Sequence, residues 1–293
     1  MRQDLFVSGG RPLVSKVAYE GDLKKSIEHA VALVGGTEKL VEKGDTILLK
    51  PNYNTADLFP GSSDPQFIEA IINLLYRSGA GKVILGERTA FLNSRMILEK
   101  TGIVKVAEEA GAEVRVFGRD GWRVIFDREG WRSSKVSGGQ HLRSVSLAKE
   151  ALEIEKIVYA PLIKTHHLGE FTGAIKLSMG LVKPLFDQLT FHTRHLHEKL
   201  AELMLVVRPD LIIMDARKVF ITGGPARGEL REPNLILASG NQVAIDVEGV
   251  KILQNYPEGI LTDRNVWDLK QIKHAVKLGL GPNNEEEYKV IMP

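Results

Sequence analysis

The chain contains no cysteine. That excludes a disulfide framework, a thiolate nucleophile and a cysteine-ligated iron–sulfur cluster, so any metal must be held by nitrogen and oxygen donors. An excess of charge of either sign is also missing: 39 Lys and Arg stand against 37 Asp and Glu, a formal net charge of +2. Such a balance offers no electrostatic case for nucleic acid as a partner. No apolar run approaches the roughly 18 residues that would read as a bilayer-spanning helix. The first residues, MRQDLFVSGGRPLV, lack the apolar stretch of a secretory signal, and the expectation is a cytoplasmic protein. What is present is ample apolar material: 43% of 293 residues are hydrophobic, enough for a full core in one large or two modest domains.

Short apolar runs alternate with longer helical patterns. Strands are expected at Asp45–Lys50, Lys82–Gly86, Glu113–Phe117, Lys156–Ala160, Leu211–Asp215 and Asn234–Ala238. These runs are β-branched and mostly apolar on both faces, as buried strands of a parallel sheet are. Between them, Pro65–Arg77, Ser94–Ala110, His195–Val207 and Val243–Gln254 carry apolar residues at helical spacing. Asp64 before Pro65 is an N-cap followed by proline at the first helical position. The alternation predicts an α/β fold, a mostly parallel, doubly wound sheet with helices on both faces. Trp122–Val136 departs from it: two strand-like pieces around Asp127–Gly130 predict a hairpin, forming a small inserted subdomain. The Gly138-Gly139 pair and its polar surroundings suggest a division into residues 1–137 and 138–293.

In an open parallel sheet, ligands bind beyond the carboxyl ends of the strands. Lys50, Pro51 and Asn52 follow the first expected strand, and Gly86, Glu87 and Arg88 the second. Lys164, Thr165, His166 and His167 come after the fourth, and Asp215 closes the fifth. On this reading they converge on one crevice, although loops are polar for bland reasons too. Thr172-Gly173-Ala174-Ile175-Lys176 is a small-residue turn ending in a lysine. Glycine permits close approach of a ligand to the backbone, and an enclosed lysine holds an anion or acts as a nucleophile or base. The same residues would also make an ordinary helix start with a solvated lysine. Thr222-Gly223-Gly224-Pro225 offers backbone N–H groups to a phosphate or carboxylate, and serves equally as a structural turn.

His166 to His197 holds five of the eight histidines. Imidazole is the usual nitrogen ligand for zinc, nickel or iron, and a general acid or base near neutral pH. His192 and His195, three apart, share a face if the segment is helical. The spacing matches no standard zinc signature. A dinucleotide-binding G-x-G-x-x-G, an H-E-x-x-H pair and a serine in a nucleophile elbow are all absent.

Several of these residues together resemble a known family. Leu49-Lys50-Pro51-Asn52, Pro161-Leu162-Ile163-Lys164-Thr165-His166, Thr172 to Lys176, Gly180, His192, Asp215, Gly223-Gly224-Pro225 and Ala244-Ile245-Asp246 are similar, in this order, to the domain of unknown function 362 (DUF362). The resemblance runs from about residue 45 to about residue 255 and brings no general biochemical assignment. The ferredoxin-like four-cysteine segment of many relatives is missing, so no electron-transfer role is implied. Leu177 stands where the family usually has asparagine, and Asn241 where it has aspartate. A more distant resemblance is to the nickel-pincer lactate racemases, carried by His166, the turn Phe171-Thr172-Gly173-Ala174-Ile175-Lys176, and His192. It implies a related fold, Lys176 as a cofactor anchor and His192 as a nickel ligand. The turn departs from that pattern, with threonine for serine and Ala174 for the second glycine.

The resulting expectation is an enzyme whose crevice binds a small anionic substrate, a carboxylate or phosphate. Lys50, Lys164 and Lys176 would hold the anion, with Asn52, Thr172, Gly173, Gly223 and Gly224 completing the binding surface. His166, Lys176 and His192 are the candidate catalytic groups. His166, His192, His195 and Asp215 are the candidate ligands for a divalent nickel, zinc or iron ion. Proton or hydride transfer beside a carboxylate, metal-assisted as in racemisation, is the most concrete form of the chemistry. Asp215 and Asp246 would orient a histidine, cap a helix or bind a cation. The alternative is an accessory protein that holds a metal or ligand without turnover.

Overall fold

A computed structural model describes residues 4–89, 93–184, 191 and 194–293. In chain order the strands are β1 (Val7–Ser8), β2 (Arg11–Ala18), β3 (Thr46–Lys50), β4 (Lys82–Glu87), β5 (Glu113–Val116), β6 (Trp131–Lys135), β7 (Ser144–Ala148) and β8 (Lys156–Tyr159). They continue with β9 (Lys164–His166), β10 (Glu170–Thr172), β11 (Leu211–Ala216), β12 (Val219–Phe220), β13 (Leu230–Arg231), β14 (Leu235–Ser239) and β15 (Lys289–Ile291). One sheet runs in the order β1-β2-β14-β11-β8-β3-β4-β5, with β15 beside β2. Its centre is the parallel block β11-β8-β3-β4-β5, the mostly parallel α/β architecture expected from the sequence.

Side-chain alternation assigns the two faces. Ile47, Leu49, Val83, Leu85, Val158 and Ile213 point into one layer, covered by the helices Leu23–Val34, Pro65–Arg77 and Ile103–Glu109. Leu48, Ile84, Ile157, Tyr159, Ile212 and Met214 point into the other, covered by Leu196–Leu203, Gln242–Gln254 and Lys270–Lys277. The central strands β3, β4, β8 and β11 are therefore buried on both faces, which is why their sequences read as unbroken apolar runs. Asp64 caps Pro65–Arg77 by accepting from the Gln66 N–H at 3.0 Å. Among the described residues, no helix is long and apolar enough to cross a membrane.

Four elements differ from expectation. The Asn234–Ala238 run forms β14, which lies antiparallel to both β11 and β2. It is reached from β11 through residues 217–234, which carry the antiparallel β12–β13 hairpin and no helix to cross over the sheet, so the chain returns in the opposite direction. Ser94–Ala110 forms two helices, Ser94–Lys100 and Ile103–Glu109, separated at Gly102, whose φ of 80° is left-handed. The hairpin expected within 122–136 is instead made by β6 and β7. Gly121–Ile125 is a 3-10 turn, and the buried Asp127 carboxylate gathers the N–H groups of Arg119, Glu129 and Gly130 at 2.8, 3.0 and 3.1 Å, which closes the chain on itself before it can pair. His195 is the left-handed cap of its helix, with φ 58°, and lies outside the first turn. Gly138 and Gly139 sit in the β6–β7 loop, and strands from both sides of that loop share the one sheet.

Candidate functional site

The carboxyl ends of β3 and β4, the β9–β10 hairpin and the short helix Ala174–Leu177 surround a cleft of about 200 Å³. Lys50 and Asn52 enter from the end of β3, Glu87 and Arg88 from β4, Lys164, His166 and Thr172 from the hairpin, and Lys176 from the helix. Pro225 and Ala226 complete the rim.

The three lysines are not equivalent. Lys50 is buried, with Nζ 2.5 Å from Glu87 Oε1 and 2.8 Å from the Pro51 carbonyl. Glu87 also accepts from the N–H groups of Tyr53 and Arg88, both at 2.8 Å. Burial pushes the Lys50 amine down and the Glu87 carboxyl up, and their mutual attraction opposes both shifts. This pair ties β3 to β4. Lys164 donates to the carbonyls of Pro60 and Gly61 at 2.7 and 2.5 Å, holding down the 51–64 loop. Burial, and then the charge of Lys176, lower its amine to about 7, with Asp57 opposing. Lys176 makes no hydrogen bond or ion pair among the described residues, and burial lowers it to about 8.

The Lys176 turn is fixed from a distant element. Asp246, fully buried on the helix Gln242–Gln254, accepts from the N–H groups of Ala174 and Ile175 at 2.6 and 2.9 Å. Burial raises its carboxyl to about 7 against these two bonds. Gly173 leaves room for it: a Cβ there would stand 2.7 Å from the Asp246 carboxylate carbon. Gly173 therefore supports the cleft from behind. Thr172 is paired across the hairpin with Lys164.

Two hydroxyls in the cleft have no hydrogen-bond partner among the described residues, those of Tyr53 and Thr172. The residues are only 2% and 5% exposed, and buried hydroxyls are normally satisfied. His166 also lines the cleft, and its Nδ1 accepts from the N–H groups of Leu168 and Gly169, both at 3.1 Å. The proton of the neutral ring is therefore on Nε2.

Of the residues singled out in the sequence, the cleft brings together Lys50, Asn52, Glu87, Arg88, Lys164, His166, Thr172 and Lys176. Gly223 and Gly224 are not in its lining. Gly224 packs on the Thr165 carbonyl, where no Cβ fits, and donates to the Arg227 carbonyl at 2.7 Å. Asp215 is fully buried and committed to Arg217 at 2.7 Å; Arg217 in turn reaches Asp64 at 2.8 Å and lies over the rings of Phe59, Phe67 and Tyr19. His195 stacks on His141 with ring centroids 4.1 Å apart. His192 lies outside the described residues. Tyr53 was not singled out for the site; its signal was its place directly after Lys50-Pro51-Asn52. Asp246 was expected to orient a histidine, cap a helix or bind a cation, and of these it caps, accepting from the first two N–H groups of the helix Ala174–Leu177.

Of the four candidate metal ligands, three, His166, His195 and Asp215, lie among the described residues. A ligating histidine donates its second ring N–H to a neighbour, whereas His166 Nδ1 faces two donors and Nε2 keeps the proton. No group of three metal-ligating side chains exists among the described residues, and Asp215 is held by Arg217.

The chain belongs to the family described as domain of unknown function DUF362, whose model matches residues 47–251. It is 29% identical over 284 residues, 94% of this chain and 81% of the relative, to a Synechocystis sp. protein named as thylakoid-associated. Among solved structures it is similar to a Thermotoga maritima protein, with a TM-score of 0.50 and 14% identity over 80% of this chain. It is also similar to the lactate racemase apoprotein of Thermoanaerobacterium thermosaccharolyticum, with a TM-score of 0.48 and 11% identity over 85% of this chain. The chain spans 59% and 58% of the lengths of these two solved proteins; the first likeness shows a shared α/β fold.

Proposed function

We propose that this member of the DUF362 family is an enzyme acting on a small carboxylic acid bound between Lys164 and Lys176. The observation that carries the reading is the convergence of three uncommitted polar groups on one cleft. They are the Lys176 amine and the Tyr53 and Thr172 hydroxyls. Each is a donor, and two are buried without partners, so each gains a hydrogen bond when an oxygen-rich ligand enters. Lys164, already held by two carbonyls, supplies charge without having to be ordered on binding. Lys50 and Glu87 act as a fixed brace beneath the site and do not bind the anion.

The test is thermal denaturation of the full chain with lactate, pyruvate and inorganic phosphate. The carboxylic acids should raise Tm, with stabilisation of roughly 2.7 kcal/mol at a hundred times the dissociation constant. Binding of an anion favours the protonated lysines, so the shift should be larger at pH 6.5 than at pH 9, across the range in which Lys164 and Lys176 titrate. Absence of any shift with either acid, or a shift unchanged in Lys176→Met, refutes the reading.

A further inference from the structure

We propose that Lys176 is an amine nucleophile that forms an imine with the carbonyl group of a small oxo acid, making a 2-oxo or aldehydic carboxylate the ligand class of the cleft. The proposal rests on the carboxylate-binding reading above and deepens it.

Geometry separates this lysine from its neighbours. Lys50 is tied to Glu87 and the Pro51 carbonyl, and Lys164 to the carbonyls of Pro60 and Gly61. Lys176 is anchored only through its backbone, by the Asp246 clamp on Ala174 and Ile175. Its stem passes Gly169 so closely that a Cβ there would stand 3.1 Å from Lys176 Cε. Its Nζ thus reaches the cleft without a partner to displace. A lysine becomes a nucleophile when it is desolvated or stands beside another cation, and both conditions hold, since burial lowers Lys176 and its charge is felt at Lys164.

The step balances within the site. The Nζ lone pair attacks the carbonyl carbon, and the carbonyl π pair moves to oxygen. A proton passes from nitrogen to that oxygen, giving a neutral carbinolamine. The Lys164 ammonium then protonates the hydroxyl, which departs as water while the nitrogen lone pair forms the C=N bond. In the reactive form the single positive charge of the two lysines is on Lys164, the minor arrangement given that Lys176 holds its proton to higher pH, and one positive charge remains at the end, on the iminium nitrogen. The Thr172 hydroxyl, cross-strand from Lys164, and the Tyr53 hydroxyl are the unpartnered groups available to the substrate oxygens.

The test is reductive trapping on the full chain with pyruvate or glyoxylate and sodium cyanoborohydride, read by intact mass and peptide mapping. One adduct per chain, at Lys176, is expected, suppressed by excess lactate, which has no carbonyl to trap. Trapping needs Lys176 as the free amine and Lys164 as the ammonium, so it should peak between pH 7 and 8 and fall on either side. Lys176→Arg keeps the charge and cannot form an imine, so it should lose the adduct. Adducts scattered over several lysines, an adduct on Lys164, or none with either oxo acid overturn the nucleophile. If lactate and pyruvate still raise Tm in that case, the carboxylate-binding reading stands. If neither does, that reading falls as well.

Discussion

Substituting alanine for Gly173 tests whether the Asp246 clamp builds the site. The backbone at Gly173 is extended, with φ −160°, so alanine adds no conformational strain and the effect is purely steric. The new methyl carbon would stand 2.7 Å from the Asp246 carboxylate carbon and 2.8 Å from Oδ2. Carbon atoms in contact normally lie about 3.5–4.0 Å apart, so turn and carboxylate must separate by about 1 Å. That stretches the bonds to Ala174 and Ile175, now 2.6 and 2.9 Å, to or beyond the hydrogen-bonding limit. Leaving buried partners unsatisfied costs about 1–3 kcal/mol per group, and the two bonds together amount to about 2–5 kcal/mol after partial relaxation. The loss of unfolded-chain freedom on replacing glycine offsets only about 0.4–1 kcal/mol. At about 2–4 °C per kcal/mol for a large domain, Tm should fall by roughly 5–15 °C in a melt followed by circular dichroism. The pyruvate-induced shift should disappear with it, because Lys176 is no longer placed. A Gly173→Ala protein that melts within about 2 °C of the parent, with the ligand shift intact, would refute the reasoning.

Gly169→Ala presses only on the flexible Lys176 stem; it should cost less than about 1 kcal/mol of stability yet weaken pyruvate binding, measured by calorimetry. Tyr53→Phe and Thr172→Val remove hydroxyls that lack partners among the described residues. Each should leave stability unchanged or raise it by about 1 kcal/mol while lowering ligand affinity roughly 5- to 100-fold; a clear loss of stability would mean the hydroxyls are already satisfied. For Lys176→Met the sign follows from linkage: the folded amine sits near 8 against 10.5 unfolded, so the native lysine destabilises increasingly as pH falls from about 10.5 towards 8. The variant's advantage in urea melts should therefore be largest below pH 8 and vanish towards pH 10.5. Arg217→Met strands the buried Asp215 and should cost about 3–5 kcal/mol, much of it recovered by adding Asp215→Asn.

The parallel core was legible because its strands are buried on both faces. A run such as Thr46–Lys50 or Leu211–Ala216 has few other places to go. Direction was not legible for β14, because a strand's own residues do not encode the connection that precedes it. β2 escaped notice because Pro12, Ser15 and Lys16 interrupt its pattern; Ser15 is nevertheless buried, donating to the Ala30 carbonyl at 2.7 Å. In the site, Lys50, Lys164, His166 and Lys176 stood out as polar groups following apolar strands or a glycine turn. The same signal selected Asp215, which is committed to Arg217, because sequence position does not reveal which strand-end charge already has a partner. Asp246, 72 and 71 residues from the N–H groups it receives, gave no local sign of its task.

That separation has a consequence for the order of events on the ribosome. Residues 164–177 emerge well before residue 246, so for part of synthesis the loop carrying Lys176 exists without the carboxylate that shapes it. The last pieces to arrive include β14, which must insert between β11 and β2, the latter made more than 200 residues earlier. A nascent chain is therefore expected to acquire the parallel block first and the reactive amine's final position late. Chains stalled before residue 246 should be protected from protease around β3, β4 and β8 while remaining open at Lys164–Lys176. The nucleophile would then be formed only in a chain whose sheet is nearly complete.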